Sequence, residues 1–335
     1  MKESRKRTPK AYPDSAPARA FMTDPKLNYV PCPDAAGGHR MAWWSWGDER
    51  APHLVVCVHG LSRQGRDFDT LARALVAASP TPVRVACPDV VGRGRSDWLA
   101  DPMGYGVPTY AADMLHMLGQ LHAAAPVATL DWVGTSMGGL IGMALAGTPG
   151  LPLPVPLRRL VLNDVGPVIQ WSALQRIGTY LGQTGRFATV QEAADAMWAI
   201  SRSFGPHTPE QWLELSRPMV RALPEGGYTL HYDPAIAVPF RTLDEAAAQA
   251  GQAALWQLYD AITARTLLLR GAESDLLARA TAEDMMRRGP RPRLVEFAGV
   301  GHAPTLLAAD QVEAVTSFLL ATGSPSHEKP DGGTG

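Results

Sequence analysis

The sequence has few cysteines, almost no net charge and no long apolar run, and each shortage excludes a class of protein. Cys32, Cys57 and Cys87 are three cysteines without regular spacing, so we expect no disulfide framework and a reducing, cytoplasmic setting. No Cys/His group has the spacing of a zinc site, and we expect no bound metal. A formal net charge of −1 gives no global attraction to nucleic acid or an anionic membrane. No segment approaches the roughly 18 consecutive apolar residues of a membrane span.

The two ends of the chain differ in composition from the rest. Residues 1–22 are basic and proline-rich and lack the apolar centre of a secretory signal, so we interpret them as a flexible tail. Residues 323–335 are poor in apolar side chains and are predicted to be disordered.

Short apolar runs that end in turn residues recur along the chain and are typical of buried strands. The clear runs are 54–58, 83–87, 130–133, 160–163, 266–270 and 294–297, with weaker ones near 27–31 and 40–46. Helical patterns separate many of them, for example 68–78, 110–123 and 139–145. This alternation predicts an α/β fold with a mostly parallel sheet flanked by helices on both faces.

The interval 168–258 interrupts the alternation. It has helical periodicity, no convincing strand and more residues than a βαβ crossover needs. We therefore predict a helical cap inserted into a core formed by 23–167 and 259–322. Its large side chains are Trp171, Tyr180, Phe187, Trp198, Phe204, Trp212, Tyr228, Tyr232, Phe240 and Trp256. We expect most of them to form the core of the cap and some to line an apolar binding cavity.

The pentapeptide Gly134-Thr135-Ser136-Met137-Gly138 lies between a predicted strand and a predicted helix. In this context the pattern G-x-S-x-G forms a sharp turn that exposes the serine hydroxyl. A serine needs a base to become a good nucleophile. The best candidate is His302, because it follows the last predicted strand and so lies at the same sheet edge as Ser136.

A third residue should hold the imidazole of His302 in the correct tautomer. Asp275 follows the penultimate strand and fits the chain order of nucleophile, acid and histidine, so we predict it as the acid. Asp164 remains an alternative, because it ends the strand that follows the nucleophile. For the oxyanion we predict the backbone N–H groups of Met137 and Leu61 as donors, with Ser62 less favoured than Leu61. We expect His59 to shape the oxyanion loop and not to act as the base.

These motifs together resemble those of the α/β-hydrolase superfamily, and they follow its order over about residues 27–322. They are His59-Gly60-Leu61, Pro88–Asp97, Gly134–Gly139, Leu268–Asp275 and Gly301-His302. The resemblance implies an eight-stranded sheet, a helical cap after the sixth strand, a Ser–Asp–His triad and no cofactor. Within the superfamily the chain looks most like bacterial serine esterases and hydrolases of aromatic meta-cleavage products.

The predicted function is hydrolysis of small to medium carboxylic esters through an acyl-enzyme. The alternatives are C–C bond hydrolysis of meta-cleavage-type diketones, hydrolysis of hydroxyalkanoate oligomers and, from another class, a non-catalytic ligand-binding protein. Arg63 and Arg66 follow the oxyanion loop, and either guanidinium could bind a substrate carboxylate. Alternatively, they pair with Asp67 or Asp69 and brace the loop.

Overall fold

The structure is a computed structural model, and it describes residues 24–322. The predicted tails 1–22 and 323–335 lie outside the described residues. The strands are β1 Lys26–Cys32, β2 His39–Gly47, β3 His53–Val58, β4 Val83–Asp89, β5 Thr129–Thr135, β6 Leu157–Asn163, β7 Val220–Ala222, β8 Tyr228–Leu230, β9 Arg265–Gly271 and β10 Arg293–Phe297. The α-helices are α1 Asp69–Ala78, α2 Val107–Ala124, α3 Met137–Gly147, α4 Trp171–Tyr180, α5 Val190–Ser201, α6 Pro209–Ser216, α7 Ala237–Arg241, α8 Glu245–Asp260, α9 Arg279–Arg287 and α10 Ala309–Leu320.

Eight strands form one sheet in the order β1-β2-β4-β3-β5-β6-β9-β10. β1 and β2 run antiparallel to their neighbours, and the pairs from β4 to β10 are parallel. The prediction of a mostly parallel eight-stranded sheet is confirmed. The two runs that were weakest in the sequence are the antiparallel strands at its edge.

The central strands are buried on both faces, which explains their unbroken apolar runs. In β3, Leu54, Val56 and Val58 face a core layer that includes residues of α2 and α3. The alternate residues Val55 and Cys57 face the opposite layer, to which α1 and α10 contribute. Because successive side chains of a strand point to opposite faces, one short segment anchors both layers.

The segment between β6 and β9 leaves the sheet and contains α4 to α8. The expectation that it has no strand is wrong at one place, where β7 and β8 form a short antiparallel pair. Each strand has only three residues, too few for a visible alternation of apolar and polar side chains. We propose residues 168–258 as a cap unit, since Trp212, Met197 and Leu215 form an apolar cluster of its own.

Candidate active site

Ser136 lies at the sharp turn between β5 and α3, as the pentapeptide predicts. Its backbone has φ 52° and ψ −117°, a conformation that L-residues rarely adopt. The flanking glycines make the turn possible: a Cβ on Gly138 would lie 2.0 Å from the Val58 carbonyl oxygen, and one on Gly134 would lie 2.3 Å from the Gly138 carbonyl carbon. A strained, non-glycine residue held by its surroundings is a common sign of a functional site.

His302 lies in the loop after β10 and reaches Ser136. Its Nε2 is 3.0 Å from the Ser136 Oγ, and its Nδ1 is 2.7 Å from the Asp164 Oδ2. With Nδ1 donating to the carboxylate, Nε2 is free to accept the serine proton. The structure therefore brings Ser136 and His302 together in the geometry of a nucleophile and its base.

Asp164 occupies the position for which the sequence favoured Asp275. It directly follows β6, is fully buried and has a positive φ of 57°. The Asp275 carboxylate instead faces outward, with 47% of the side chain exposed, and accepts hydrogen bonds from the Arg176 guanidinium at 2.7 and 3.0 Å. The prediction that Asp275 orients His302 is wrong, and the alternative, Asp164, contacts His302.

The last residue of β9 and the loop after it still contribute to this arrangement, in a way that sequence reasoning missed. The Ser274 hydroxyl donates to the Asp164 Oδ2 at 2.6 Å, and the Gly271 N–H donates to the Oδ1 at 2.9 Å. These two bonds, with that from His302, satisfy a carboxylate that has no access to water. Ser274 is the residue immediately before Asp275. The motif Leu268–Asp275 therefore does reach the site, but through Ser274 and not through the predicted Asp275.

His59 orients the peptide that precedes Leu61. Its Nε2 accepts from the Val90 N–H at 2.9 Å, and its Nδ1 donates to the Gly60 carbonyl at 2.7 Å. Burial lowers the pKa of His59 to about 3, which keeps this neutral tautomer at ordinary pH. In a trans peptide the C=O and the next N–H point in opposite directions, so the held Gly60 carbonyl turns the Leu61 N–H away from His59.

Arg93 adds a second restraint and a buried positive charge. Its side chain is fully buried, and its Nε donates to the Leu61 carbonyl at 2.8 Å. Its Nη2 contacts the Met137 Sδ at 3.6 Å, and its guanidinium lies over the Tyr110 ring. No carboxylate in the described part of the chain pairs with it. A cation in contact with both Leu61 and Met137 favours negative charge between them.

Met137 begins α3, and its N–H belongs to the first turn of that helix. The Ser136 carbonyl accepts from the N–H groups of Gly139 and Leu140, so this peptide is aligned with the helix axis. Neither the Met137 N–H nor the Leu61 N–H donates to another group within residues 24–322. Met137 follows Ser136 directly, and a Cβ on Gly60, the residue before Leu61, would lie 3.7 Å from the Ser136 Cβ. Two free donors near Ser136 match the requirement of an oxyanion hole.

Ser136 and His302 open into a cavity of about 330 Å³ between the sheet edge and the cap. Four of the ten large cap side chains named from the sequence line it: Tyr180, Phe187, Phe204 and Tyr232. Others, such as Trp198 and Trp212, pack within the cap. Among the described lining residues His302 is the only His, Cys, Asp or Glu, so the cavity offers no set of metal ligands.

The two candidate carboxylate-binding arginines have different positions. Arg63 lines the cavity, and its guanidinium forms two hydrogen bonds of 2.7 Å with Asp67. Arg66 is not among the lining residues and pairs with Asp69. The prediction that Arg66 binds substrate is therefore wrong, because its guanidinium does not border the Ser136 cavity.

The cap also contacts the His302 loop directly. The Ser203 carbonyl accepts from the Gly301 N–H at 2.6 Å, and the Ser203 hydroxyl donates to the His302 carbonyl at 3.2 Å. The His207 Nε2 lies 2.8 Å from the Thr305 Oγ1. The cap thus helps to fix the histidine as well as enclosing the cavity.

A model of the alpha/beta hydrolase family matches residues 55–315. The chain belongs to the α/β-hydrolase family. It is 49% identical over 302 residues to a 3-hydroxybutyrate-oligomer hydrolase of Cupriavidus necator, covering 89% of this chain and 99% of that protein. The family resemblance drawn from the motifs is confirmed.

Solved structures agree with this assignment. An α/β hydrolase from Novosphingobium aromaticivorans is 33% identical, with a TM-score of 0.76 over 89% of this chain and 99% of that chain. A putative hydrolase from Rickettsia typhi is 27% identical, with a TM-score of 0.76 over 88% and 98%. Among the described residues, no helix combines the length and the apolar character needed to cross a membrane.

Proposed function

We propose that this protein is a serine hydrolase that cleaves ester bonds in short oligomers of 3-hydroxybutyrate or similar hydroxyalkanoates. The observation that carries the proposal is the hydrogen-bonded series Ser136–His302–Asp164 at the base of a mostly apolar cavity. The substrate class is supported by the 49% identical relative, which is an oligomer hydrolase. This class was an alternative to simple carboxylic esters in the sequence analysis, and it is now preferred.

In the first half-reaction the Ser136 Oγ attacks the ester carbonyl while the His302 Nε2 takes the hydroxyl proton. The tetrahedral oxyanion accepts hydrogen bonds from the N–H groups of Leu61 and Met137. Collapse of this intermediate breaks the bond to the leaving oxygen, which receives the proton from His302. The products are an acyl group on Ser136 and a shorter oligomer whose new end is a free 3-hydroxyl group.

In the second half-reaction a water molecule gives a proton to His302 and attacks the acyl carbon. The intermediate releases Ser136, which takes the proton back, and the acyl part leaves as a carboxylic acid. Throughout the cycle Asp164 accepts a hydrogen bond from the Nδ1–H of His302. It also stabilises the imidazolium that forms once in each half-reaction.

The cavity has features that suit an oligoester. Its lining is largely apolar, which suits the repeating methyl-branched units, and among the described lining residues there is no Asp or Glu to repel a carboxylate end. Arg63 borders the cavity next to the nucleophile, since both its Cγ and the Ser136 Cβ lie within 4 Å of a Cβ placed on Gly60. We keep Arg63 as the proposed partner of the substrate carboxylate, with Asp67 holding the guanidinium in place.

The test is to incubate the wild-type chain and Ser136→Ala with 3-hydroxybutyrate dimer, trimer and tetramer and to quantify the released monomer by chromatography. We expect steady release by the wild type and a loss of about 10⁶-fold in kcat for Ser136→Ala, by analogy with serine hydrolases that lose their nucleophile. Unchanged circular dichroism and thermal unfolding of the variant serve as the control for folding.

The same preparations are given p-nitrophenyl esters and a meta-cleavage diketone. Hydrolysis of simple esters without the oligomers would support the first sequence prediction instead. Turnover of the diketone alone would support the C–C hydrolase. Lack of reaction of Ser136 with a fluorophosphonate probe would support a binding protein without catalysis.

A further inference from the structure

A second group of reactive side chains lies at the edge of the sheet, away from the Ser136 cavity. Cys32 ends β1, His39 begins β2, and Asp113 lies on α2. The thiol, an imidazole nitrogen and a carboxylate oxygen all lie within 4.8 Å of one another. Exposure is 1% for Cys32, 7% for His39 and 1% for Asp113. None of the three lines the cavity of the proposed ester hydrolase.

The backbone preorganises this group. Cys32 and His39 are direct partners in the antiparallel register, which places their side chains on one face of the hairpin. Asp34 in the connecting turn accepts from the N–H groups of Ala36 and Gly38 at 2.8 Å, so the turn is held by its own hydrogen bonds.

The remaining oxygen of Asp34 accepts from the His39 Nδ1 at 2.8 Å. This bond points the Nε2 towards Asp113, whose Oδ2 is 3.1 Å away. A carboxylate that orients a histidine through its second nitrogen is a recurring feature of zinc sites. With Nδ1 donating to Asp34, the His39 Nε2 and the Asp113 Oδ2 are both acceptors, and they approach this closely only with a proton or a cation between them. The side chains around this point are of the types that a divalent cation prefers as ligands.

From this geometry we infer that Cys32, His39 and Asp113 form a binding site for a transition metal of the zinc type. Thiolate sulfur, imidazole nitrogen and carboxylate oxygen are the ligands of Zn²⁺, and three protein ligands leave a fourth position open. Binding releases the Cys32 thiol proton and the proton between His39 and Asp113. Two protons leave and one dication enters, so the net charge of the buried group does not change.

The site would join the edge hairpin to a core helix. Within residues 24–322, β1 pairs with β2 alone, and the metal would connect both strands to α2. Sequence reasoning could not detect this site, because Asp113 lies far along the chain from the other two ligands and the three residues have no zinc-type spacing. The earlier expectation of no bound metal rested on that spacing alone.

The experiment uses the full chain, stripped with a strong chelator and then titrated with Co²⁺. We expect one equivalent to bind with a thiolate-to-cobalt charge-transfer band in the near ultraviolet, and Zn²⁺ to displace it and raise Tm. Cys32→Ser should remove the band, and Asp34→Asn should weaken the affinity by about 10- to 100-fold, as loss of an outer carboxylate does. Far-ultraviolet circular dichroism of each metal-free variant verifies that it is folded.

Two variants are matched controls. Cys87→Ala removes another buried thiol, and His116→Gln removes an exposed histidine one turn from Asp113; both should keep the band. The inference is overturned if the wild type shows neither a band nor a Tm shift in excess metal. It is also overturned if the band survives Cys32→Ser. Should Cys32→Ser fail to fold, Asp34→Asn alone decides, since an unaltered affinity contradicts the site.

Discussion

Strands β6 and β9 lie side by side, and an aspartate follows each of them at the same edge of the sheet. Asp164 comes immediately after β6, is fully buried and binds His302 and Ser274. Asp275 comes later in the loop after β9, is half-exposed and pairs with Arg176 of the cap. The two carboxylates are chemically identical and lie a few residues from neighbouring strand ends, but their environments differ. The environment decides which of them can accept a hydrogen bond from His302.

The largest expected effect separates these two carboxylates. Asp164→Asn should lower kcat for 3-hydroxybutyrate trimer by about 10⁴-fold, because an amide stabilises the wrong imidazole tautomer and cannot stabilise the imidazolium. Asp275→Asn removes an exposed ion pair and should leave kcat within a factor of about two, with a loss of at most about 1 kcal/mol in the free energy of unfolding. Initial rates and urea unfolding of both variants check this, and equal losses of kcat would contradict the contrast.

The next effect lies within the loop after β9. Ser274→Ala removes the hydroxyl that donates to Asp164, and a bond to a charged group contributes about 1.5–3 kcal/mol, so kcat should fall by about 10- to 100-fold. Glu273→Gln, an exposed neighbour, is the matched control and should retain wild-type rates. Equal kcat values for the two variants would contradict a role of the Ser274 hydroxyl in positioning Asp164.

A smaller effect tests the same distinction between inward and outward side chains in the loop after β3. Arg63→Gln should raise KM about 10-fold for oligomers with a free carboxylate and leave KM for their methyl esters unchanged, because one charge-assisted pair is lost. Arg66 lies outside the cavity, so Arg66→Gln should alter neither the KM for the acids nor the KM for the methyl esters. Equal effects of Arg63→Gln on acids and methyl esters would exclude carboxylate recognition.

The last effect is on stability and not on turnover, and it concerns pH and the oxyanion loop. The pKa of buried His59 is lowered to about 3 in the folded state, so the unfolded chain binds this proton more readily. The stability that neutral His59 contributes is complete above about pH 6.5 and is lost as the pH falls towards 3. At pH 5 the loss from this residue should be about 2 kcal/mol. Urea unfolding of wild type and His59→Gln at pH 7 and 5 should show a shallower pH dependence in the variant; equal slopes would contradict this.

The fold and most of the candidate site could be predicted from the sequence, because they depend on local patterns. Apolar runs identified the central strands, and the glycines around Ser136 identified a turn that tolerates no Cβ. His302 was identified by its position after the last strand. These features depend on residues adjacent in the chain.

The errors arise where side-chain direction depends on the path of a loop. Ser274 and Asp275 are consecutive, and only the turn after β9 decides which of them points inward. Arg66 differs from Arg63 in the same way. Arg93 was missed because its role depends on the Leu61 carbonyl and the Tyr110 ring, which are distant in sequence.

The most direct test of the central claim is to trap the acyl-enzyme. The wild-type chain is mixed with 3-hydroxybutyrate trimer, quenched in acid within the first turnover and mapped by peptide mass spectrometry. We predict a 3-hydroxybutyryl or longer acyl group on Ser136, and none on that peptide in Ser136→Ala. Turnover of the trimer with no adduct on Ser136, or with an adduct on another residue, would contradict the account.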